Sequence, residues 1–196
     1  MPSLPKLLPF ILLVTAGCHG TLTHESRVMK STPEWFTTVR PDNGGKPTAQ
    51  LAGRGAGSSR SQQVAVDMAK MAAFTDLGRS INATFSGLSK QALEQVGGGR
   101  DGETVQHFSQ ATKVVMADID VTGTSVGRQT LTEVEGVYYA WVMLNYPVGE
   151  ANAKFLSDLR ANRATYERFR TTQLYDEMNK EIEAYRKSQS EQRSRQ

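Results

Sequence analysis

A single cysteine in 196 residues, Cys18, leaves no partner for an intramolecular disulfide, so no covalent staple shapes this fold. Charge of one sign is lacking too: 23 Lys and Arg against 20 Asp and Glu leave +3 at pH 7. That excess is too small to argue for nucleic-acid binding. No apolar run approaches the roughly 20 residues that span a bilayer. The one candidate, "LLPFILLVTA" at residues 7–16, is about half that length and contains Pro9. His19, His24 and His107 are too scattered for metal-ligand spacing, so no metal is expected.

Motifs of catalysis and nucleotide binding are equally scarce. "GRGAGSSRS" at 53–61 has glycines that could cradle a phosphate, but it lacks the Lys of a Walker loop, and Ser58 stands where Gly-x-Gly-x-x-Gly needs glycine. The plainer account is that its glycines let a strand pass close beneath a helix. "TFSGL" at 84–88 lacks the Gly-x-Ser-x-Gly elbow. No catalytic residue and no cofactor are expected.

The sequence begins with a targeting pattern: Lys6, the short apolar run, then the small residues Ala16 and Gly17 ahead of Cys18. Thr15-Ala16-Gly17-Cys18 resembles the lipobox of bacterial lipoproteins, with Thr15 where leucine is usual. The resemblance implies cleavage between Gly17 and Cys18, a diacylglyceryl group on the Cys18 thiol and an acyl chain on its new amino group. A thiolate is the side chain nucleophilic enough for that alkylation near neutral pH. Each buried methylene contributes about 0.8 kcal/mol, and two or more chains hold lastingly. His19 is not the Asp that retains such proteins at the inner membrane, so the expected destination is the outer membrane, facing periplasm or surface.

Residues 18–32 are polar and unpatterned and read as a tether. The folded body is expected over 33–147, with Trp35 and Phe36 docking its start and "DNGGKP" as a loop. A glycine-weakened strand is expected over Thr48–Ala56. From Ser59 a long amphipathic helix follows, with Ser59 and Gln62 as a capping box and Val64, Met68, Met71, Ala72, Leu77, Ile81, Phe85 and Leu88 on its apolar face. The glycines at 97–99 end it. A further helix is expected over Glu103–Asp118, then a hairpin turning at Glu135 and Gly136. Its second strand, Val137–Tyr146, is apolar on both faces and should lie at the centre of the sheet or be covered on both sides. Residues 148–196 carry an apolar stripe with no breaker after Gly149. From about Glu150 to the end of the stripe at Tyr185, one helix would approach roughly 60 Å, so it either breaks or projects, and "RKSQSEQRSRQ" at 186–196 should fray.

"PEWF", then "LAGRGAGSSRSQQVAVDMAKMAAFTDLGRSI", then "GVYYAWVML", in that order behind a lipobox, resemble the LPP20-like family of envelope lipoproteins. That domain is similar to the N-terminal domain of the flagellar assembly protein T. The resemblance covers about residues 33–147 and implies a small α+β domain: an antiparallel sheet packed by helices, on the outer membrane, without known catalytic residues. The long C-terminal amphipathic helix lies outside it.

Two charged groupings remain. Asp118 and Asp120 make a poor cation site alone. Arg160, Arg163, Arg168 and Arg170 are either a solvated helix face or a contact for an acidic partner such as anionic headgroups. The expected function is therefore a non-catalytic, lipid-anchored envelope protein that binds an envelope protein or cell-wall partner. The alternative is an assembly or regulatory factor of an envelope machine, flagellar or for cell-wall synthesis. An envelope enzyme ranks last.

Overall fold

The computed structural model describes residues 24–38, 50–97, 101–117 and 123–195. Helix α1 (His24–Ser31) and the short α2 (Glu34–Thr37) precede strand β1 (Gln50–Ser59). Next come the long α3 (Gln62–Gln95), α4 (Gly102–Ala117), and the hairpin of β2 (Ser125–Val134) and β3 (Val137–Pro147). The chain closes with α5 (Val148–Leu159), α6 (Arg163–Phe169) and α7 (Gln173–Arg193). The result is an α+β fold with a three-stranded antiparallel sheet of order β1-β3-β2 and a long C-terminal helix.

The hairpin follows from its turn. Glu135 (φ 55°) and Gly136 (φ 77°) are both left-handed, the requirement of the two-residue turn whose twist matches that of paired strands. β3 is the central strand, as its unbroken apolar run foretells: Ala140, Val142, Leu144 and Tyr146 on one face are buried, and so is Trp141 on the other.

α3 lies along β1. A Cβ added to Gly53, Gly55 or Gly57 would meet the backbone of α3 at 2.2–2.5 Å, so glycine at alternate positions lets helix and strand backbones nearly touch. The helix answers with small residues, Ala65, Ala69 and Ala73, all fully buried. This corrects the expected apolar face in its first half. Val64, Met68 and Met71 are 47 %, 49 % and 72 % exposed, because only a methyl group fits over a glycine strand. From Leu77 onward the expected face holds: Leu77, Ile81 and Phe85 are fully buried over the core. The capping box is also corrected. Ser61 is the N-cap, and the Ser59 hydroxyl accepts from the Ser61 N–H at 3.1 Å instead of serving the helix. The helix ends at the glycines, with Gly97 left-handed.

Beyond the sheet, α3, α4, α5 and α6 share an aromatic core. Phe155 sits 5.3 Å from Phe85 and 6.2 Å from Phe108, whose ring meets Phe169 edge-on at 5.4 Å. The C-terminal stretch is not one helix. It breaks before Asn162 and Thr172, whose side chains accept the N–H of Thr165 and of Tyr175. Each is an N-cap that starts a new helix, and the breaks fold α7 back against α5. The basic tail expected to fray is helical to Arg193, where all residues of 186–193 but Ser188 and Ser190 are Lys, Arg, Gln or Glu, good helix formers. The stretch read as a tether is helical from His24 to Ser31 and docks on the sheet.

Candidate functional site

Successive residues of a strand point to opposite faces, so pairing register tells which side chains share one. Gly53, Gly55 and Gly57 face α3, and their partners in β3 are Leu144, Val142 and Ala140. The outer face therefore carries Tyr139, Trp141, Met143 and Asn145. Met143 is paired with Arg54 on one side and with Arg128 on the other, so two guanidinium-bearing residues flank one thioether in a row across the sheet. Arg128 reaches this face by regular alternation from the hairpin turn, since every pair from Val134 opposite Val137 to Arg128 opposite Met143 keeps one register. The bulge at Gly127 lies beyond it and resets only Val126 and Ser125.

α2 lies over the row. The Trp35 indole N–H donates to the Thr130 hydroxyl at 3.3 Å, and its ring meets Phe36 edge-on. Trp35 and Phe36 thus dock the start of the domain, as the sequence suggests. Arg54 Nη1 donates to the carbonyls of Phe36 (3.1 Å) and Thr38 (2.6 Å), pinning the end of α2 and fixing the guanidinium. Its Nε is buried without an acceptor among the described residues. Arg128 is exposed, and its side chain makes no ion pair or hydrogen bond among the described residues. Glu34, Trp35, Thr38, Arg54, Arg128 and Met143 enclose a pocket of about 370 Å³. Alternation within β1 places Arg54 opposite the glycine face from sequence alone. The register set by the Glu135-Gly136 turn places Arg128 beside Met143, whereas nothing local in the sequence marks the pairing of β1 with β3 that sets Arg54 on its other side.

At the other end of the outer face, α1 is clasped to the hairpin. His24 Nδ1 lies 2.7 Å from a Glu135 carboxylate oxygen and His24 Nε2 2.8 Å from the Tyr139 hydroxyl, while Arg27 pairs with the second Glu135 oxygen. The hydrogen bond from His24, with the Arg27 charge beside it, holds the Glu135 carboxyl below its ordinary range.

The four arginines expected on one helix are distributed over the breaks. Arg160 ends α5, lies 5.5 Å over the Tyr166 ring and donates to its hydroxyl at 3.3 Å, a bond that raises its pKa. Arg163 opens α6 and is exposed. Arg168 pairs with Asp101 at 3.4 Å, and Arg170 with Glu167 at 3.2 Å. Three of the four are engaged within the chain, so the structure does not gather them into a free basic face.

His107, on α4, reaches α6. Asn162 Oδ1 is committed to the Thr165 N–H, so Nδ2 of that amide donates to His107 Nε2 at 2.8 Å. Nε2 is then an acceptor, and Nδ1–H must donate to the Thr165 hydroxyl at 2.9 Å. A histidine that donates to a hydroxyl cannot take its proton, so this Thr-His-Asn grouping is a strut between helices. A larger cleft, about 500 Å³, separates the start of α5 from α7, with Pro147, Val148, Glu181 and Tyr185 in its walls. Burial, then the bond from its hydroxyl to Glu150 at 2.9 Å, push Tyr185 up to about 12. Burial raises Glu181 as well, against the bond it accepts from Asn152 at 2.5 Å.

Gly17, Cys18, His19, Asp118 and Asp120 lie outside the described residues. Among the described residues no group of three or more His, Cys, Asp or Glu could hold a metal, and no helix is long and apolar enough to cross a membrane. Comparison with protein-family models, with curated proteins and with solved structures returned no match.

Proposed function

We propose that this chain is a non-catalytic lipoprotein of the bacterial envelope. It is held in the outer membrane by lipid on Cys18 and presents its α+β domain to a protein or cell-wall partner. The observation that carries the reading is the apolar run closing on Thr15-Ala16-Gly17-Cys18, the only cysteine of the chain. The clasp of α1 adds to it. The chain from Cys18 to His24 can span at most about 20 Å, so an anchored domain stands close to the bilayer with its hairpin clasp nearest the lipid. The donor role of His107 toward Thr165 favours a binding domain over an enzyme.

Labelling with radioactive palmitate in a bacterial host, followed by membrane fractionation, tests it. The wild type is expected in the membrane fraction with label, and Cys18→Ser without label and uncleaved. Unlabelled wild type, or label retained by Cys18→Ser, overturns the reading. An assembly factor for an envelope machine is the second reading, favoured by the order of the Pro-Glu-Trp-Phe opening, glycine strand, alanine-rich helix and aromatic strand. Affinity capture of the lipidated protein separates the two, by recovering one machine's components or none.

A further inference from the structure

We propose that the pocket between α2 and the outer face of the sheet binds a ligand through a carboxylate, held between Arg54 and Arg128 with Trp35 as wall and Met143 as floor. The proposal goes beyond the lipid anchor and stands whatever becomes of Cys18.

The row Arg54, Met143, Arg128 carries it. Strands about 4.8 Å apart put the two arginine Cα atoms about 10 Å from one another on one face, a span that two long side chains can close over a single small anion. Their states are complementary. Arg54 is held in position by the carbonyls of Phe36 and Thr38, so its orientation is set before any ligand arrives. Its buried Nε has no acceptor within the described fold, and a buried donor left unmade costs about 1–3 kcal/mol. Arg128 is exposed and has no partner among the described residues, so it can close from the open side. Arg54 is not where packing alone would place an arginine, for it stands among the glycines of β1.

The walls select the anion. A guanidinium presents a planar fork that matches a carboxylate with two parallel hydrogen bonds. Glu34 also lines the pocket, and its charge opposes a doubly charged phosphate more than a singly charged carboxylate. Met143 and the Trp35 ring offer apolar surface next to the arginines, suited to a small apolar group beside the carboxylate. A volume of about 370 Å³ is at the small end for ligand pockets, enough for the last residue or two of a peptide. The chemical class is thus a peptide C-terminus ending in a small apolar residue.

The test uses the full chain in detergent, titrated by calorimetry with N-acetyl-dialanine bearing a free carboxylate, with its C-terminal amide and with inorganic phosphate. The acid is expected to bind saturably and at least about tenfold tighter than the amide or phosphate, with a change in tryptophan fluorescence. Arg128→Gln, an exposed change with no internal partner to lose, should weaken the acid by about tenfold or more at unchanged melting temperature. No saturation by the acid up to about 10 mM overturns the proposal, as does equal binding of acid and amide, or undiminished binding by Arg128→Gln. Tighter binding of phosphate overturns the carboxylate assignment.

Discussion

Gly55 and Ala69 meet with no room between them: a Cβ on Gly55 would stand 2.2 Å from the Ala69 carbonyl oxygen, far inside any real contact. The obstacle is helix backbone, which cannot swing aside as a side chain would. Gly55→Ala must therefore push α3 off β1, and overpacking of this kind costs about 1–3 kcal/mol or somewhat more. Chemical denaturation should show that loss. Met71→Ala, at a position 72 % exposed on the same helix, should change stability by less than about 0.5 kcal/mol.

Glu181 faces Asn152 and Glu177 where α7 packs on α5, and burial raises its pKa. A carboxyl whose folded pKa lies above its unfolded value contributes stability in full below the unfolded value and loses it as pH rises through the folded one. The charge on Glu181 at neutral pH thus costs more in the fold than in the unfolded chain. Glu181→Gln keeps an oxygen for the Asn152 N–H and removes the charge, so the melting temperature at pH 7 should rise by about 2 °C. The gain should vanish when the scan is repeated below the ordinary carboxylate range.

Glu135 behaves oppositely. Its pKa is lowered by the hydrogen bond from His24 and by Arg27, so the clasp is fully present above the unfolded carboxylate value and is lost as pH falls through the lower, folded one. Hydrogen exchange of the α1 amides, corrected for its intrinsic pH dependence, should quicken in the wild type as pH falls through that range, and trypsin cleavage after Arg27 reports the clasp at neutral pH. Glu135→Gln should be cut faster than wild type at neutral pH while the core, reported by near-ultraviolet dichroism, keeps its signal.

Asn162 holds the start of α6 and the tautomer of His107 together. Asn162→Ala removes the cap and should cost about 1 kcal/mol in denaturant unfolding. Asn162→Asp keeps the capping oxygen but withdraws the N–H that Nε2 accepts, so the His107 ring protons should shift in NMR spectra while most of the stability stays. An unchanged His107 signal in Asn162→Asp would refute the tautomer.

Several features were legible because they rest on chemistry within a few residues. Glu135-Gly136 between β-rich runs could only turn tightly. The two-sided apolar run Val137–Tyr146 needed cover on both faces and became the central strand, and the glycines of β1 implied a close neighbour. The C-terminal breaks were less visible, since Asn162 and Thr172 interrupt no apolar stripe; they only offer an oxygen where a helix can restart.

Local pattern decided the elements, while long-range pairing decided the site. Periodicity states which residues can be buried and is silent on what buries them. For this reason spacing puts Met68 and Met71 on the apolar face of α3, whereas the glycine strand admits only the methyl groups of Ala65, Ala69 and Ala73. The same reason separates Arg54 from Arg128 in the chain, 74 positions apart (128 − 54), yet sets them on either side of Met143. Arg128 follows from the register that the Glu135-Gly136 turn sets on β3, but Arg54 joins it only through the long-range pairing of β1 with β3, where a slip of one residue would turn every side chain of β1 to the other face.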